Sequence, residues 1–219
     1  TSVGISNLSM TVTGGQALLS NYIVPTAGTM NITPAPLAYV ATATTSVYGS
    51  TPSVNVGTVT GFVGTDTLAN AVTGTLVFST TATAASNVGN YAVVGSGLTA
   101  NNGNYTFAQA LANSSALSIT PATLSYNATA TNSTYGSTPS VNAGTVTGYV
   151  NGENQASATT GTLLFSTTAT ATSNVGNYAI TGSGLVANHG NYVFTQLAGN
   201  TTALTIQKAT LNADRKSVV

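Results

Sequence analysis

Charged side chains are scarce in this chain of 219 residues, because Asp, Glu, Lys and Arg together make up 3% of it, whereas an ordinary soluble domain carries about 25%. Only Asp66 and Glu153 precede Lys208, so most of the surface must be neutral. Such a chain has no basic patch with which to neutralise phosphates, and this excludes a nucleic-acid binder. It also excludes a polybasic segment that binds a membrane surface.

Cysteine is absent, which excludes disulfides, thiolate metal sites and cysteine nucleophiles. No apolar run approaches the roughly 18 residues of a membrane helix, so we expect no membrane insertion. The chain begins without Met and without a recognisable signal peptide, and we expect it to be an excerpt from a longer polypeptide.

What the chain does contain is 42 Thr and 23 Gly, together with ten Tyr and many Val residues. Disordered chains are poor in aromatic and β-branched residues and have a high net charge. This chain has the opposite composition and zero net charge, which indicates folded β structure.

An 87-residue repeat organises the sequence, because Tyr48–Asn55 reappears unchanged at Tyr135–Asn142. Residues 32–118 and 119–205 differ at 28 positions, which leaves 59 identities in 87. We interpret 32–118 and 119–205 as two complete β repeats, 1–31 as the C-terminal part of an upstream repeat, and 206–219 as the start of a further repeat.

Apolar and polar residues alternate with a period of two in short segments such as Leu76–Phe78 and Tyr105–Phe107, which is typical of half-buried strands. Gly, Asn and Pro separate these segments as turns, including Gly95–Gly97. A single helical turn is the most that Asp66–Val72 can form. The residues expected to point inward in the first repeat are Leu37, Tyr48, Val54, Val59, Phe62, Leu76, Phe78, Val88, Tyr91, Val93, Leu98, Tyr105, Phe107, Leu117 and Ile119.

The fold class predicted from this pattern is all-β, with about seven short strands per repeat. The size fits a small β-sandwich or a β-grasp-like module, with the modules arranged as beads on a string. A β-solenoid is the competing architecture, but it would show a shorter repeat than 87 residues. Pro121 cannot continue strand pairing, and the short connection around it favours a stiff string of beads.

Short motifs in a fixed order give the sequence a family resemblance. Each repeat contains Tyr-Gly followed by Pro, then Gly-Thr-Val-Thr-Gly, Gly-Asn-Tyr and a closing strand such as Leu117–Thr120. This order resembles the MBG domain of the Tyr-Gly type, which occurs as tandem repeats in large bacterial surface proteins of the filamentous-haemagglutinin and two-partner-secretion kind. The resemblance covers both complete units and both partial ones.

Candidate sites are few, and we expect no catalytic, cofactor-binding or metal-binding residues. Gly95–Ala100 and Gly182–Ala187 match a dinucleotide-binding pattern but lack the helix and the acid that such a site needs. His189 is the only imidazole and stands where the first repeat has Asn102, so a turn residue is the better interpretation.

The acids Asp66 and Glu153 occupy equivalent positions, one in each repeat, and calcium would need several carboxylates. We expect the segment 64–72 around Asp66 to be an exposed loop that has drifted between copies. Neither complete repeat contains Lys, which excludes Lys–Asn isopeptide cross-links. Glycosylation is a further hypothesis, and its acceptor triplets begin at Asn7, Asn31, Asn104, Asn113, Asn127, Asn132 and Asn200.

The leading functional hypothesis is a structural stalk or fibre region of a secreted bacterial surface adhesin, on a Gram-negative outer surface. Its partners would be neighbouring repeats and other copies of itself, because neutral β modules lack the edge charges that block association. The alternative is an adhesive module whose neutral Thr, Asn and Tyr surfaces bind host or matrix glycans or proteins. An enzyme is not expected, for want of titratable groups.

Overall fold

The computed structural model describes residues 2–4 and 29–211. Most of the predicted upstream segment 1–31 and all of 212–219, including the charged residues near the C-terminal end, lie outside the described residues. The described part forms eighteen strands, and its two α-helical turns have four residues each.

Strand follows strand in the same order in both repeats. The first two strands, β1 (Ser2–Gly4) and β2 (Thr29–Asn31), pair antiparallel. The first repeat then forms β3 (Ala35–Ala41), β4 (Thr44–Val47), β5 (Gly57–Thr60), α1 (Leu68–Ala71), β6 (Val72–Ser79), β7 (Gly89–Tyr91), β8 (Val94–Ala100), β9 (Tyr105–Gln109) and β10 (Leu117–Thr120). The second repeat forms β11 (Ala122–Ala128), β12 (Thr131–Thr134), β13 (Gly144–Thr147), α2 (Gln155–Ala158), β14 (Thr159–Ser166), β15 (Gly176–Tyr178), β16 (Thr181–Ala187), β17 (Tyr192–Gln196) and β18 (Leu204–Gln207).

Each repeat builds two mixed three-stranded sheets and one two-stranded ribbon. In the first repeat, β3 lies between antiparallel β5 and parallel β9, while β10 lies between parallel β4 and antiparallel β7. The ribbon pairs β6 with β8 antiparallel. The second repeat reproduces this topology strand for strand. The prediction of tandem all-β modules is therefore confirmed, with eight strands per module.

The apolar alternation in the sequence identifies the core correctly. All the residues expected to point inward are buried or half-buried, and Leu37 and Leu117 have no exposed surface. The expectation omitted Tyr39, which is also buried and stacks on Phe107 with 5.2 Å between the ring centroids. The helical turn α1 lies within the expected segment Asp66–Val72.

The expectation of turns at Gly95–Gly97 and at the equivalent Gly182–Gly184 is wrong, because both segments lie inside strands β8 and β16. Strand β6 shifts its register opposite Gly95–Gly97, and β14 does so opposite Gly182–Gly184, so each ribbon contains a β-bulge. Gly97 has a φ angle of 90°. A Cβ atom added there would lie 2.0 Å from the Thr75 carbonyl oxygen, so only glycine lets the two backbones approach this closely.

The two modules follow each other with Pro121 alone between β10 and β11. Strand β10 ends the first module and pairs with strands of that module, and β18 does the same in the second module. The limits 32–118 and 119–205 therefore divide the sequence repeat but not the structural modules, because strand pairing places all of Leu117–Thr120 in the first module.

Candidate functional site at the module junction

A turn after strand β4 carries Tyr48 and Gly49 to the end of the first module. The Tyr48 backbone N–H donates to the Thr120 carbonyl oxygen at 2.9 Å, and the Gly49 N–H donates to the Ala84 carbonyl oxygen at 3.0 Å. These bonds fix the turn on its own module. We call this end the tip surface; it consists of Tyr48, Gly49, Ala84, Asn87 and Val88.

The second module receives this tip on a surface that we call the acceptor surface, which consists of Val150, Asn151, Glu153, Asn191 and Tyr192. The ring of Tyr48 meets the ring of Tyr192 edge to face, with 5.4 Å between centroids and an interplanar angle of 82°, a favoured geometry for aromatic pairs. Gly49 lies so close to Val150 that an added Cβ atom would be 2.5 Å from the valine Cβ. The absence of a side chain at Gly49 therefore allows the contact.

Asparagine side chains join the two surfaces by hydrogen bonds. Asn191 is buried; its Oδ1 accepts from the Val88 N–H at 2.9 Å, and its Nδ2 donates to Asn87 Oδ1 at 2.9 Å. Asn151 Nδ2 donates to the Ala84 carbonyl oxygen at 3.0 Å. Each such bond stabilises by about 0.5–1.5 kcal/mol net, and together they fix the register of one module on the next.

Glu153 lies between two tyrosines at the junction. Its Oε1 accepts from the Tyr48 hydroxyl at 3.2 Å, and its Oε2 accepts from the Tyr192 hydroxyl at 2.5 Å. The Tyr192 oxygen in turn accepts from the Val150 N–H at 3.0 Å. Burial, followed by the hydrogen bond to Glu153, raises the pKa of Tyr192 to about 12. The phenol is therefore held neutral as a donor to the carboxylate.

The first module contains the same acid–tyrosine pair, and no other described residues cover it as the tip covers Glu153. Asp66 Oδ2 accepts from the Tyr105 hydroxyl at 2.6 Å, and the Val63 N–H donates to that hydroxyl at 3.1 Å. The hydrogen bond to Asp66 raises the pKa of Tyr105. Val63, however, is 61% exposed and Asn104 is also exposed. The pair is thus a feature of each module, whereas the second tyrosine at Glu153 comes from the neighbouring module.

The hydrophobic core runs through the junction without interruption. One cluster of buried residues contains Tyr48 and Ile119 of the first module together with Leu124, Ala158 and Tyr192 of the second. In the first module, the residues equivalent to the last three form a cluster of their own: Leu37, Ala71 and Tyr105. The second module therefore shares with its neighbour a part of its core that the first module closes alone.

Comparison with known families agrees with this geometry. A family model of the MBG domain (YGX type) matches residues 37–114 and 124–202, one match in each module. The chain belongs to this MBG family. No curated protein and no solved structure matches it. The Tyr-Gly pair that gives the family type its name is, in this chain, the centre of the tip surface.

The other candidate residues are not gathered into a site in the MBG modules. His189 is exposed in a turn with φ 54°, and Asn102 takes the equivalent conformation with φ 56°. Within residues 2–4 and 29–211, no three His, Asp or Glu residues lie close enough together to hold a metal ion. No helix in the same residues is long and apolar enough to cross a membrane.

Two of the glycosylation triplets are closed to modification in the folded MBG modules. Asn113 is buried; its Oδ1 accepts from the Ala41 N–H at 2.9 Å, and its Nδ2 donates to the Tyr39 carbonyl oxygen at 3.0 Å. Asn200 makes the same bonds in the second module. Among the other triplets, Asn31, Asn104 and Asn132 are exposed, Asn127 is half-buried, and Asn7 lies outside the described residues.

Sequence reasoning missed the role of the acids. It treated Asp66 and Glu153 as lone residues of a drifting loop, whereas Glu153 bonds a tyrosine 105 positions earlier in the chain. That separation exceeds the period of 87 residues, so comparing one copy with the other cannot pair the two residues. The segment around Asp66 is largely exposed, as expected, and the equivalent segment around Glu153 forms one edge of the acceptor surface.

Proposed function

We propose that these MBG modules are a stiff spacing segment in the stalk of a secreted bacterial surface adhesin. MBG domains are typical of extracellular and surface proteins. The observation that carries the proposal is the continuous core at the junction, where Tyr48, Ile119 and Leu124 are buried in a single cluster. The stalk would hold a binding region away from a Gram-negative outer surface.

Stiffness follows from what bending would break. Domains joined by a polar interface normally move relative to each other. Here the connection is Pro121 alone, and bending would separate the rings of Tyr48 and Tyr192 and break the bonds of Asn191. It would also expose the ring of Tyr48, which is 5% exposed at the junction, whereas the equivalent Tyr135 is 48% exposed. Rod-like propagation of modules is therefore favoured over free rotation.

A structural role without catalysis is part of the same proposal. Tyr105 and Tyr192 have raised pKa values, but each is engaged in a hydrogen bond to the acid of its own module. A raised tyrosine pKa disfavours the phenolate, so neither group is activated as a base or nucleophile near neutral pH. These two tyrosines thus support packing rather than chemistry.

The alternative function, glycan or protein binding by neutral surfaces, stays a prediction. Glycan sites commonly use exposed aromatic rings, and among the described tyrosines Tyr135 is the only exposed one. The exposed rows of Thr and Asn remain available for polar contacts. A glycan array probed with the folded chain would favour this alternative if it gave a saturable signal.

Small-angle scattering of the dilute chain tests the spacing function. We expect a maximum dimension and a profile that fit two modules held in line by the junction. A matched variant with a flexible Gly-Ser insertion after Thr120 should give a broader distribution of distances. If wild type and insertion variant scatter alike, or if wild type is folded back, the proposed stiff spacer is wrong.

A second experiment tests the cellular role. In the parent surface protein, deletion of residues 35–207 should shorten the projection of the distal region without changing its intrinsic affinity for its ligand. Replacement by an unrelated rigid module of equal length should restore adhesion. The ligand affinity of the isolated distal region does not depend on these modules, so it serves as the control. If the unrelated rigid module fails to restore adhesion, the spacing function is wrong.

A further inference from the structure

The parallel strand pairs of each module join its beginning to its end. In the first module, the first two strands pair parallel with the last two, β3 with β9 and β4 with β10. Every other strand pair within residues 35–120 is antiparallel. The second module repeats the arrangement, with β11 on β17 and β12 on β18. The strands through which the chain enters a module are thus bonded directly to the strands through which it leaves.

The parallel direction decides how these pairs respond to tension on the chain. Thr44 lies level with Leu117 at one end of the β4–β10 ladder, and Val47 lies level with Thr120 at the other end. A pull on both ends of the module therefore draws β4 backwards and β10 forwards along the same axis. The hydrogen bonds of the ladder lie across this direction, so they are loaded together. Pulling the two strands apart from one end would instead break the bonds one at a time.

Backbone hydrogen bonds extend the β4–β10 ladder at both of its ends. The Thr44 N–H donates to the Ala116 carbonyl oxygen at 2.8 Å, and the Tyr48 N–H donates to the Thr120 carbonyl oxygen at 2.9 Å. The equivalent bonds of the second module have the same lengths and join Thr131 to Ala203 and Tyr135 to Gln207. Each ladder is therefore bonded along the full length of its strands.

A buried asparagine ties the entry and exit parts of each module together a second time. Asn113 lies in the 3-10 helical turn Leu111–Ser115, just before β10, and is 2% exposed. Its side chain accepts from the Ala41 N–H and donates to the Tyr39 carbonyl oxygen, both on β3. Asn200 makes the equivalent bonds to β11 in the second module. These bonds must also break before the entry strand can slide past the exit strand.

Core packing opposes the same sliding movement. The inward side chains of β10, Leu117 and Ile119, are buried, and so are Leu204 and Ile206 of β18. Protein interiors are close-packed and contain few voids, so these side chains cannot move along the strand axis without displacing their neighbours. Sliding therefore disrupts the ladder and the core in the same step.

We propose that each module bears tension, and that its first two and last two strands form a shear clamp that keeps the module folded when the chain is pulled from its ends. This function goes beyond spacing. Spacing depends on the junction, which resists bending, whereas tension is borne inside each module. A flexible string of such modules would bear tension equally well, so the inference does not need the stiff junction.

Pulling single molecules through pairs of engineered cysteines tests the direction of the clamp, since the natural chain has no cysteine. Thr129, Thr134 and Gln207 are exposed, and Thr134 lies level with Gln207 at the exit end of the β12–β18 ladder. In the full chain, Thr129→Cys with Gln207→Cys loads this ladder in shear, and Thr134→Cys with Gln207→Cys peels it from one end. We expect the rupture force of the shear pair to be at least about twofold higher, because forced unfolding follows the barrier along the direction of pulling.

Asn200→Ala tests the buried bonds in a full chain pulled from its two termini. Wild type should unfold in two sharp events at similar forces, one for each module. The variant should keep one of these events, and the other should occur at least about tenfold faster at a fixed force, because a buried donor on β11 loses its acceptor. The first module thus serves as a reference within the same molecule.

Leu185→Ala is the matched control for that variant. Leu185 is buried in the core of the same module, but it lies on the ribbon strand β16, outside the shear clamp. The substitution should lower the free energy of unfolding in urea and change the unfolding rate under force by less than about twofold, since its contacts are still intact when the clamp breaks.

Three results would overturn the inference: equal rupture forces for the two cysteine pairs, an unchanged unfolding rate in Asn200→Ala, or an equal acceleration in Leu185→Ala. The cysteine pairs lie at exposed positions, so that comparison decides the question even if Asn200→Ala does not fold. Small-angle scattering is measured without load and reports the junction, so a failure of the clamp and a failure of the stiff spacer are distinguishable.

Discussion

The tip surface of the first module has the same residue types as its equivalent in the second module, which we call the second tip, but different surroundings. The second tip consists of Tyr135, Gly136, Ala171, Asn174 and Val175. Tyr48 and Gly49 are packed against a neighbouring module, while Tyr135 and Gly136 face solvent. Their backbones are the same, since φ is 91° at Gly49 and 94° at Gly136. The comparison teaches that the tip conformation is set inside its own module, and that the neighbour adds burial without reshaping it.

A substitution at the glycine of the tip should separate these two environments most strongly. Alanine at either position pays about 1–2 kcal/mol for a positive φ angle, but only Gly49→Ala also forces a Cβ atom against Val150. Overpacking of this kind costs about 1–3 kcal/mol more. We expect Gly49→Ala to lower the free energy of unfolding, measured in urea, by the sum of these two costs. It should also broaden the distribution of distances obtained from small-angle scattering.

Gly136→Ala is the matched control for that experiment, because its Cβ atom would meet nothing within 4 Å. It should lose stability through backbone strain alone and keep the scattering profile of wild type. Equal loss in the two variants would mean that the contact between Gly49 and Val150 does not hold the modules together.

The fold was largely predictable because each repeat satisfies its own strand periodicity. Residues such as Leu37, Phe78 and Ile119 alternate with polar neighbours, and they are buried as that alternation indicates. Gly95–Gly97 misled the prediction, since glycine pairs usually mark turns. Here they mark a bulge in a ribbon, a long-range contact with Thr75 that no local pattern reveals.

The junction could not be predicted from the repeat in the same way. Its contacts join the tip of one copy to the acceptor surface of the next. The pair Tyr48 and Glu153 therefore does not occur within a single repeat. Loop variation between Asp66 and Glu153 looked like drift, because either acid can accept from the tyrosine of its own module. The one available signal was the complete identity of the two tip surfaces between the copies.

Removing the acid should have the next largest effect. Glu153→Ala leaves the hydroxyls of Tyr48 and Tyr192 without their acceptor, and a buried donor left unsatisfied costs about 1–3 kcal/mol. Asp66→Ala is the comparison, since it leaves only one hydroxyl, that of Tyr105, without its acceptor. We expect Glu153→Ala to be the more destabilising in urea and the only one of the two to loosen the junction by scattering. The reverse order would contradict the role assigned to Glu153.

Deleting a single hydroxyl should have a smaller effect and tests the tyrosine of the tip. Tyr48→Phe removes one bond of 3.2 Å and keeps the edge-to-face ring contact with Tyr192, so it should cost about 0.5–1.5 kcal/mol. Tyr135→Phe removes a hydroxyl on an exposed ring and should leave the unfolding curve unchanged in the dilute chain. A measurable loss in Tyr135→Phe under dilute conditions would show that the second tip already has a partner within its own chain.

Alkaline pH should produce the smallest effect, at the tyrosine of the acceptor surface. Burial and the bond to Glu153 raise the pKa of Tyr192 from its ordinary value of about 10 to about 12. A folded-state pKa above the unfolded one means that the stabilisation is complete below about pH 10 and is lost as the pH rises through about 12. Urea unfolding at a series of pH values should show a smaller decline in Tyr192→Phe than in wild type, because phenylalanine has no proton to release beside Glu153. The decline that remains in the variant comes from other tyrosines with a raised pKa, such as Tyr105.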